Sequence, residues 1–159
     1  MRKGRCLLLT LLTMIISGIT GCDSDANLPI YGTYTMDELI YHSSLNTSTY
    51  DQTAEQLKDT KFIIKEKEFK ILSSENTFEL SKPSYVTRKM NDELTEQFQA
   101  AALNMISITE YKYKYQYDVY DDKERTEYRL YLMDDELWLA IYTTTVQGDE
   151  MLLDLLSLQ

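Results

Sequence analysis

YKYKYQYDVYDDKERTEYRLYLMDDELWLAIYTTTVQ, residues 111–147, is the stretch that decides the fold. Tyr111, Tyr113, Tyr115 and Tyr117 alternate with Lys112, Lys114, Gln116 and Asp118, a period of two that belongs to a β-strand. Asp121-Asp122-Lys123-Glu124 reads as a turn, Arg125–Met133 as the returning strand, Asp134-Asp135 as a two-residue turn and Glu136–Val146 as a third strand. Pairing Tyr120 with Arg125 and Met133 with Glu136 lines up three rows on one face: Tyr113–Leu132–Leu137, Tyr115–Leu130–Leu139 and Tyr117–Tyr128–Ile141. A slip of one residue in either hairpin would put this set out of phase, so the pattern supports the register.

The opposite face then holds Lys114–Tyr131–Trp138 and Gln116–Arg129–Ala140. A cation over aromatic rings there is worth about 0.5–1 kcal/mol if exposed. One row objects: Asp118 would face Glu127, and like charges directly opposite are unfavourable. The end of that hairpin is therefore expected to fray or to hold a bulge.

Upstream, Ile30–Tyr41 reads as a first strand, with Tyr34, Met36 and Ile40 on one face. Residues 42–53 are polar and read as a loop, and Ala54–Lys58 adds a helical turn. Lys61–Lys65, Phe69–Ile71 and Thr77–Leu80 continue the alternation, and Pro83 closes the meander before an edge piece at Ser84–Arg88. A helix is expected over 91–104: Asn91 is the N-cap, Asp92 and Glu93 suit its positive end, and Leu94, Phe98, Ala101, Ala102 and Met105 form one apolar stripe. At the C-terminus Glu150, Asp154 and Ser157 share a helical face, while Gln147-Gly148-Asp149 makes a turn into a last strand. We take the strand, with Met151, Leu153 and Leu155 inward and Asp154 outward, because so apolar a sheet needs its edge covered.

The first 21 residues have a different character. Arg2, Lys3 and Arg5 precede an apolar run of eleven, Cys6–Ile16, which is too short for a membrane span of about 20 residues. The layout is that of a signal peptide. Ile19-Thr20-Gly21-Cys22 resembles the lipobox of bacterial lipoproteins, in which the cysteine thiol takes a diacylglyceryl group, the chain is cut just before it, and the new amino terminus is acylated. The resemblance implies cleavage after Gly21, lipid attachment at Cys22, a short tether over 22–29 and a domain over 30–159, exported and held at the outer side of a cell membrane. Two acyl chains give stable anchoring where one does not. Asp23 is similar to the inner-membrane retention signal of some two-membrane bacteria.

Losing Arg2, Lys3 and Arg5 takes the net charge from −10 to −13, which argues against nucleic acid as a partner. With Cys6 removed and Cys22 lipidated, the domain has neither disulfide nor free thiol. Seven or eight antiparallel strands and one supporting helix imply a mainly β fold, a meander that closes most simply into a small barrel. Gly32-Thr33-Tyr34 is similar to the Gly-x-aromatic opening of lipocalin-like domains, and the order of strands, Pro-containing link, acidic-capped helix and final meander resembles small lipocalin-like lipoproteins. True lipocalins have Trp where Tyr34 stands and a late Arg that packs on it, whereas the last basic residue here is Arg129. The resemblance therefore implies architecture and no particular ligand.

Catalytic equipment is sparse, and no enzyme is expected. The single histidine, His42, sits among Ser43 and Ser44 in a loop and reads as a surface residue. No G-x-S-x-G elbow, Cys/His metal set or phosphate loop occurs, so no cofactor or metal is expected. Asp121-Asp122 and Asp134-Asp135-Glu136 read as turn residues. Tyr113, Tyr115, Tyr117 and Tyr128 point one way; they either line a pocket for a small apolar or envelope-derived ligand or fill a narrow barrel. The alternative to a ligand-binding module is a protein-interaction or inhibitor module that meets an envelope protein through an outer patch of Lys114, Tyr131 and Trp138. An envelope hydrolase built on paired carboxylates ranks last.

Overall fold

The structure, a computed structural model, describes residues 29–74 and 76–159. The leader, Cys22 and the tether up to residue 28 lie outside the described residues. In chain order the elements are β1 (Gly32–His42), α1 (Tyr50–Leu57), β2 (Lys61–Lys65), β3 (Glu68–Leu72), β4 (Thr77–Glu79), β5 (Pro83–Lys89), α2 (Asp92–Ala101), β6 (Lys114–Asp121), β7 (Glu124–Met133), β8 (Glu136–Thr144) and β9 (Glu150–Leu158). The nine strands form one sheet in the order β4-β3-β2-β1-β9-β8-β7-β6-β5, and its pairings are antiparallel.

That order contains a geometric conflict which shapes the molecule. β4 and β5 lie at opposite edges of the sheet, yet only Leu80, Ser81 and Lys82 join them. Such a link reaches roughly 14 Å at full extension. In a flat sheet with strands about 4.8 Å apart, the outermost two of nine would be about 38 Å apart. The sheet is therefore rolled until its two limbs meet. Phe78 of β4 meets Tyr128 of β7 with ring centroids 5.2 Å apart. Tyr85 of β5 donates its hydroxyl proton to the Lys65 carbonyl at the β2–β3 turn, 3.0 Å away. The link itself is pinned to the β6–β7 turn, where Asp121 accepts from Lys82 N at 2.7 Å and from Ser81 Oγ at 3.0 Å.

Among the described residues no ladder joins β4 to β5, so the expected closed barrel of seven or eight strands is corrected to nine strands in an unclosed roll. The physical reason lies in the two edges. β4 is three residues long and exposed throughout, and β5 begins with Pro83, which has no N–H to donate.

Both faces of the sheet are buried. The inner face packs Phe62, Ile64 and Phe69 of β2–β3 against Tyr117, Val119, Tyr128, Leu130, Leu139 and Leu156, with Ala54 and Leu57 of α1 against its edge. The outer face packs Tyr131, Met133, Trp138, Ala140, Tyr142, Leu152 and Leu155 under Phe98 and Ala102, so α2 and the residue after it act as a lid. Asn91 caps α2 as expected, accepting from Leu94 N at 2.9 Å. The helix ends at Ala101, and Leu103 and Asn104 both take left-handed backbone (φ 51° and 56°), which turns the chain away.

Every β7–β8 pair expected from sequence is present, from Tyr128 opposite Ile141 to Met133 opposite Glu136. Asp134, at φ 54°, supplies the left-handed residue of their tight turn. β6–β7 differs. Tyr120 does face Arg125, but beyond an irregularity between Asp118 and Tyr120 the pairing shifts by two, so Tyr115 faces Leu132 and Tyr117 faces Leu130. A shift of two keeps every side chain on its face. It places Asp118 opposite Arg129 instead of Glu127, which removes the like-charge conflict. Thr126 bridges the disturbed stretch, donating to the Val119 carbonyl at 2.8 Å and accepting from Tyr128 N at 3.2 Å.

β9 is a strand, as expected, but it lies at the centre between β8 and β1 and covers no edge. A register break between Ile141 and Tyr142 changes its phase, so Leu152, Leu155 and Asp154 are buried. Gly32 has a defined role at the start of β1: a Cβ there would lie 2.7 Å from Tyr34 Cζ, so the ring rests on its bare Cα.

Leu130 has no exposed surface and sits in the middle of the inner cluster. Leu130→Ala is expected to destabilise the fold by about 2–5 kcal/mol in urea denaturation. A loss below about 0.5 kcal/mol, the range of an ordinary surface change, would contradict this packing.

Candidate functional site beside helix α2

The register shift in β6 sets up the most polar part of the interior. Asp118, Arg129 and Gln116 are all buried on the outer face of the sheet. Asp118 accepts from Gln116 Nε2 at 2.7 Å and forms an ion pair with Arg88 of β5. Arg129 Nε lies 3.3 Å from Asp118 Oδ1 but is misaligned, leaving that N–H without a hydrogen-bond partner. Arg129 Nη2 donates to Glu150 Oε1 at 2.5 Å, and Arg125 Nη2 donates to the same oxygen at 2.5 Å. The Arg129 guanidinium stacks on Tyr142, 4.0 Å from the ring centroid, and the Tyr142 and Tyr131 hydroxyls share a hydrogen bond of 2.8 Å. Burial works against the charge on Arg129, but the Glu150 hydrogen bond and the neighbouring Tyr131 and Tyr142 outweigh it and hold its pKa above the ordinary value.

This network opens on a cleft of about 600 Å³ between α2 and the sheet. Leu94, Phe98 and Ala101 of α2 form one wall, with Met151 of β9 also on the lining; Arg88, Arg125, Arg129 and Glu150 supply charge. Beyond the leader the chain has ten lysines and three arginines. All three arginines line this cleft, and no lysine does. They come from two strands, β5 and β7, so only the folded sheet brings them together. Arg88 and Arg125 have side chains 41 % and 39 % exposed, so both present donors to solvent, whereas Arg129 lies beneath them.

The tyrosines expected to line a pocket are dispersed. Tyr117 and Tyr128 are buried in the inner cluster, Tyr115 packs against it from a partly exposed position, and Tyr113 is 51 % exposed. Burial raises the pKa of both Tyr117 and Tyr128. None of the four lines the cleft beside α2, nor the one of about 470 Å³ between α1 and β3–β4, nor the one of about 630 Å³ beside Trp138.

The outer patch is corrected outright. Tyr131 is 1 % exposed and Trp138 4 %. Phe98 of α2 stacks edge-on to Tyr131 at 4.9 Å and Tyr111 stacks edge-on to Trp138 at 5.3 Å, so these rings form the floor of the lid and no contact surface. Lys114 turns its ammonium to the Ile108 carbonyl at 3.3 Å. The acidic turns behave as turns: Asp134 accepts from Tyr113 N at 2.7 Å, and Asp121 is engaged by the β4–β5 link. Among the described residues no group of three His, Cys, Asp or Glu side chains is placed to hold a metal ion, and no helix is long and apolar enough to cross a membrane.

His42, expected at the surface, is instead buried against β9. Its Nδ1 lies 2.7 Å from Asp154 Oδ1 and its Nε2 2.8 Å from the Ser48 carbonyl. Both partners are acceptors, so the geometry suits the doubly protonated ring. Asn46 donates to the second Asp154 oxygen at 3.2 Å, which ties the polar loop after β1 to the centre of the sheet. The sequence hides this pair because its members are 112 residues apart.

No family model, curated protein or solved structure matches the chain.

Burial lowers the pKa of His42, and the hydrogen bonds to Asp154 and Ser48 with the Asp154 charge overcome that, leaving it above the ordinary 6.5. A histidine with a raised folded-state pKa contributes stability fully present below the unfolded value, and that contribution is lost as pH rises through the folded one. Thermal unfolding is therefore expected to show the difference between the native chain and His42→Gln shrinking from pH 6.5 upward. A difference that grows over that window would contradict the ion pair.

Proposed function

We propose that the protein is a lipid-anchored, extracytoplasmic binding module of lipocalin-like architecture whose ligand seat is the cleft beside α2. The anchor rests on Ile19-Thr20-Gly21-Cys22 and the signal-like leader before it. Support for the architecture comes from a rolled sheet of nine antiparallel strands and from the Gly32–Tyr34 contact at the head of β1.

The observation that supports this seat most is the convergence of Arg88, Arg125 and Arg129 on one cleft of about 600 Å³, a volume within the usual range for small-molecule sites. The inner face offers a packed cluster of aromatic and aliphatic side chains, which disfavours the interior as the seat. A role as a protein-docking module through Lys114, Tyr131 and Trp138 loses its surface, because α2 and Tyr111 cover the two rings. Binding is favoured over catalysis by the state of His42: with both ring nitrogens engaged, neither is free to act as a base.

The test uses the native host. Metabolic labelling with a fatty-acid probe is expected to mark the wild type and leave Cys22→Ala unmarked. Native mass spectrometry of the wild type is expected to find a small molecule bound, and Ala101→Trp, which fills the cleft, is expected to lose it. An unlabelled wild type would overturn the anchor. A molecule retained by Ala101→Trp would overturn the seat.

A further inference from the structure

We propose that this cleft recognises an amphiphilic acid: a carboxylate or phosphate head held by Arg88 and Arg125, with an apolar body laid along Leu94, Ala101 and Met151. The inference rests on the cleft being the ligand seat and adds the chemical class that it takes.

Residue choice is the first reason. A purely structural ion-pair network on a half-exposed strand pair is served by either basic residue, and beyond its leader this chain uses lysine ten times against three for arginine. Here the lining contains arginine alone. Arginine presents five N–H donors in a rigid planar fork that matches the two oxygens of a carboxylate or phosphate, whereas lysine is a point charge. Arg88 and Arg125 each commit one Nη2 to a protein carboxylate, Asp118 and Glu150 respectively. The rest of each half-exposed guanidinium remains available.

Local charge is the second reason. In a chain of net charge −10, the paired groups of this network comprise three arginines and two carboxylates, Asp118 and Glu150, an excess of one positive charge. The exposed Asp149 in the β8–β9 turn is the one further charge on the lining among the described residues and brings the local sum to zero, so the cleft is neutral within a strongly acidic chain. Arg129 is fixed beneath by Glu150 and the Tyr142 ring. Arg88 and Arg125 thus approach the mouth from β5 and β7 on a support already held in place, and preorganisation of this kind lowers the entropy cost of binding.

The walls supply the third reason. Leu94 and Ala101 on α2 and Met151 on β9 are partly buried and face the cleft. A free inorganic anion would leave them wet. A molecule with an acidic head and a hydrocarbon or aromatic body covers them, and methionine adapts readily to such bodies.

The experiment titrates the full mature chain in lipid nanodiscs with 3-phenylpropionate, neutral 3-phenylpropanol and inorganic phosphate, read by calorimetry against empty nanodiscs. The acid is expected to bind about tenfold or more tightly than the alcohol, the loss produced by removing one charge-assisted hydrogen bond, and more tightly than phosphate. Arg125→Gln is expected to erase the preference of acid over alcohol. Arg125→Lys, which keeps the charge and loses the fork, is expected to weaken acid binding about tenfold on the same ground. Lys58→Gln, at the C-cap of α1 and not on the cleft lining, is expected to change nothing. Unaltered melting temperatures establish that the variants fold, and Arg88→Lys serves as the second arm if an Arg125 variant does not. Equal binding of acid and alcohol, both lost in Ala101→Trp, overturns the acid head while leaving the seat. Equal binding of phosphate and acid overturns the apolar body. Acid binding unaffected by Arg125→Gln, or no binding of the acid at millimolar concentration, overturns the inference.

Discussion

Three residues, Leu80-Ser81-Lys82, join the two opposite edges of a nine-stranded sheet, and most of the architecture follows from that short tie. A chain segment of this length cannot span a flat sheet. The sheet must curl, and curling divides its surface into a concave side that buries itself and a convex side that does not. The concave side is filled by rings and aliphatic side chains from both limbs of the roll. The convex side would be exposed, and α2 with the residues that follow it covers the apolar part from Tyr131 to Trp138.

The cleft is where that cover stops short. α2 shields the aromatic rows but leaves the charged rows of β5–β7 open beside it. The β6 irregularity then determines which charges meet, because a shift of two residues exchanges Glu127 for Arg129 opposite Asp118. Isolated buried charges are costly, and a buried pair contributes little net stability even when well made. The buried Asp118 and Arg129 are therefore hard to explain by stability alone, the more so since one Arg129 N–H has no hydrogen-bond partner. A binding role for the surrounding cleft gives that arrangement a purpose.

Much of the fold was legible where side chains answer to local rules. The tyrosine alternation identifies β6, although the strand begins at Lys114 and leaves Tyr111 and Tyr113 outside it, and the Asp134-Asp135 turn and the Asn91 cap identify their elements without reference to distant residues. The Thr49–Gln52 capping box starts α1 at Tyr50, inside the stretch expected to be a loop and four residues before the expected turn at Ala54. What depended on non-local contacts was not legible. Strand alternation says which face a residue takes, but not whether a sheet closes, so nine strands in an open roll looked like a barrel. The clash of Asp118 with Glu127 signalled a bulge, yet the partner that relieves it, Arg129, appears only when the shift is known. His42 and Asp154 each looked like surface groups, because an ion pair across 112 residues leaves no local trace. The arginines were countable in the sequence, and their confinement to one cleft was a pattern only in the folded sheet.

The roll is tested most directly by proton NMR across its two limbs. Phe78 on β4 and Tyr128 on β7 are far apart in the order of strands, yet their ring centroids lie 5.2 Å apart. Nuclear Overhauser cross-peaks between the two rings are expected alongside ordinary cross-strand peaks such as Leu130 to Leu139. Strong β7–β8 peaks with none between Phe78 and Tyr128 would mean a sheet that is not rolled and would contradict the account.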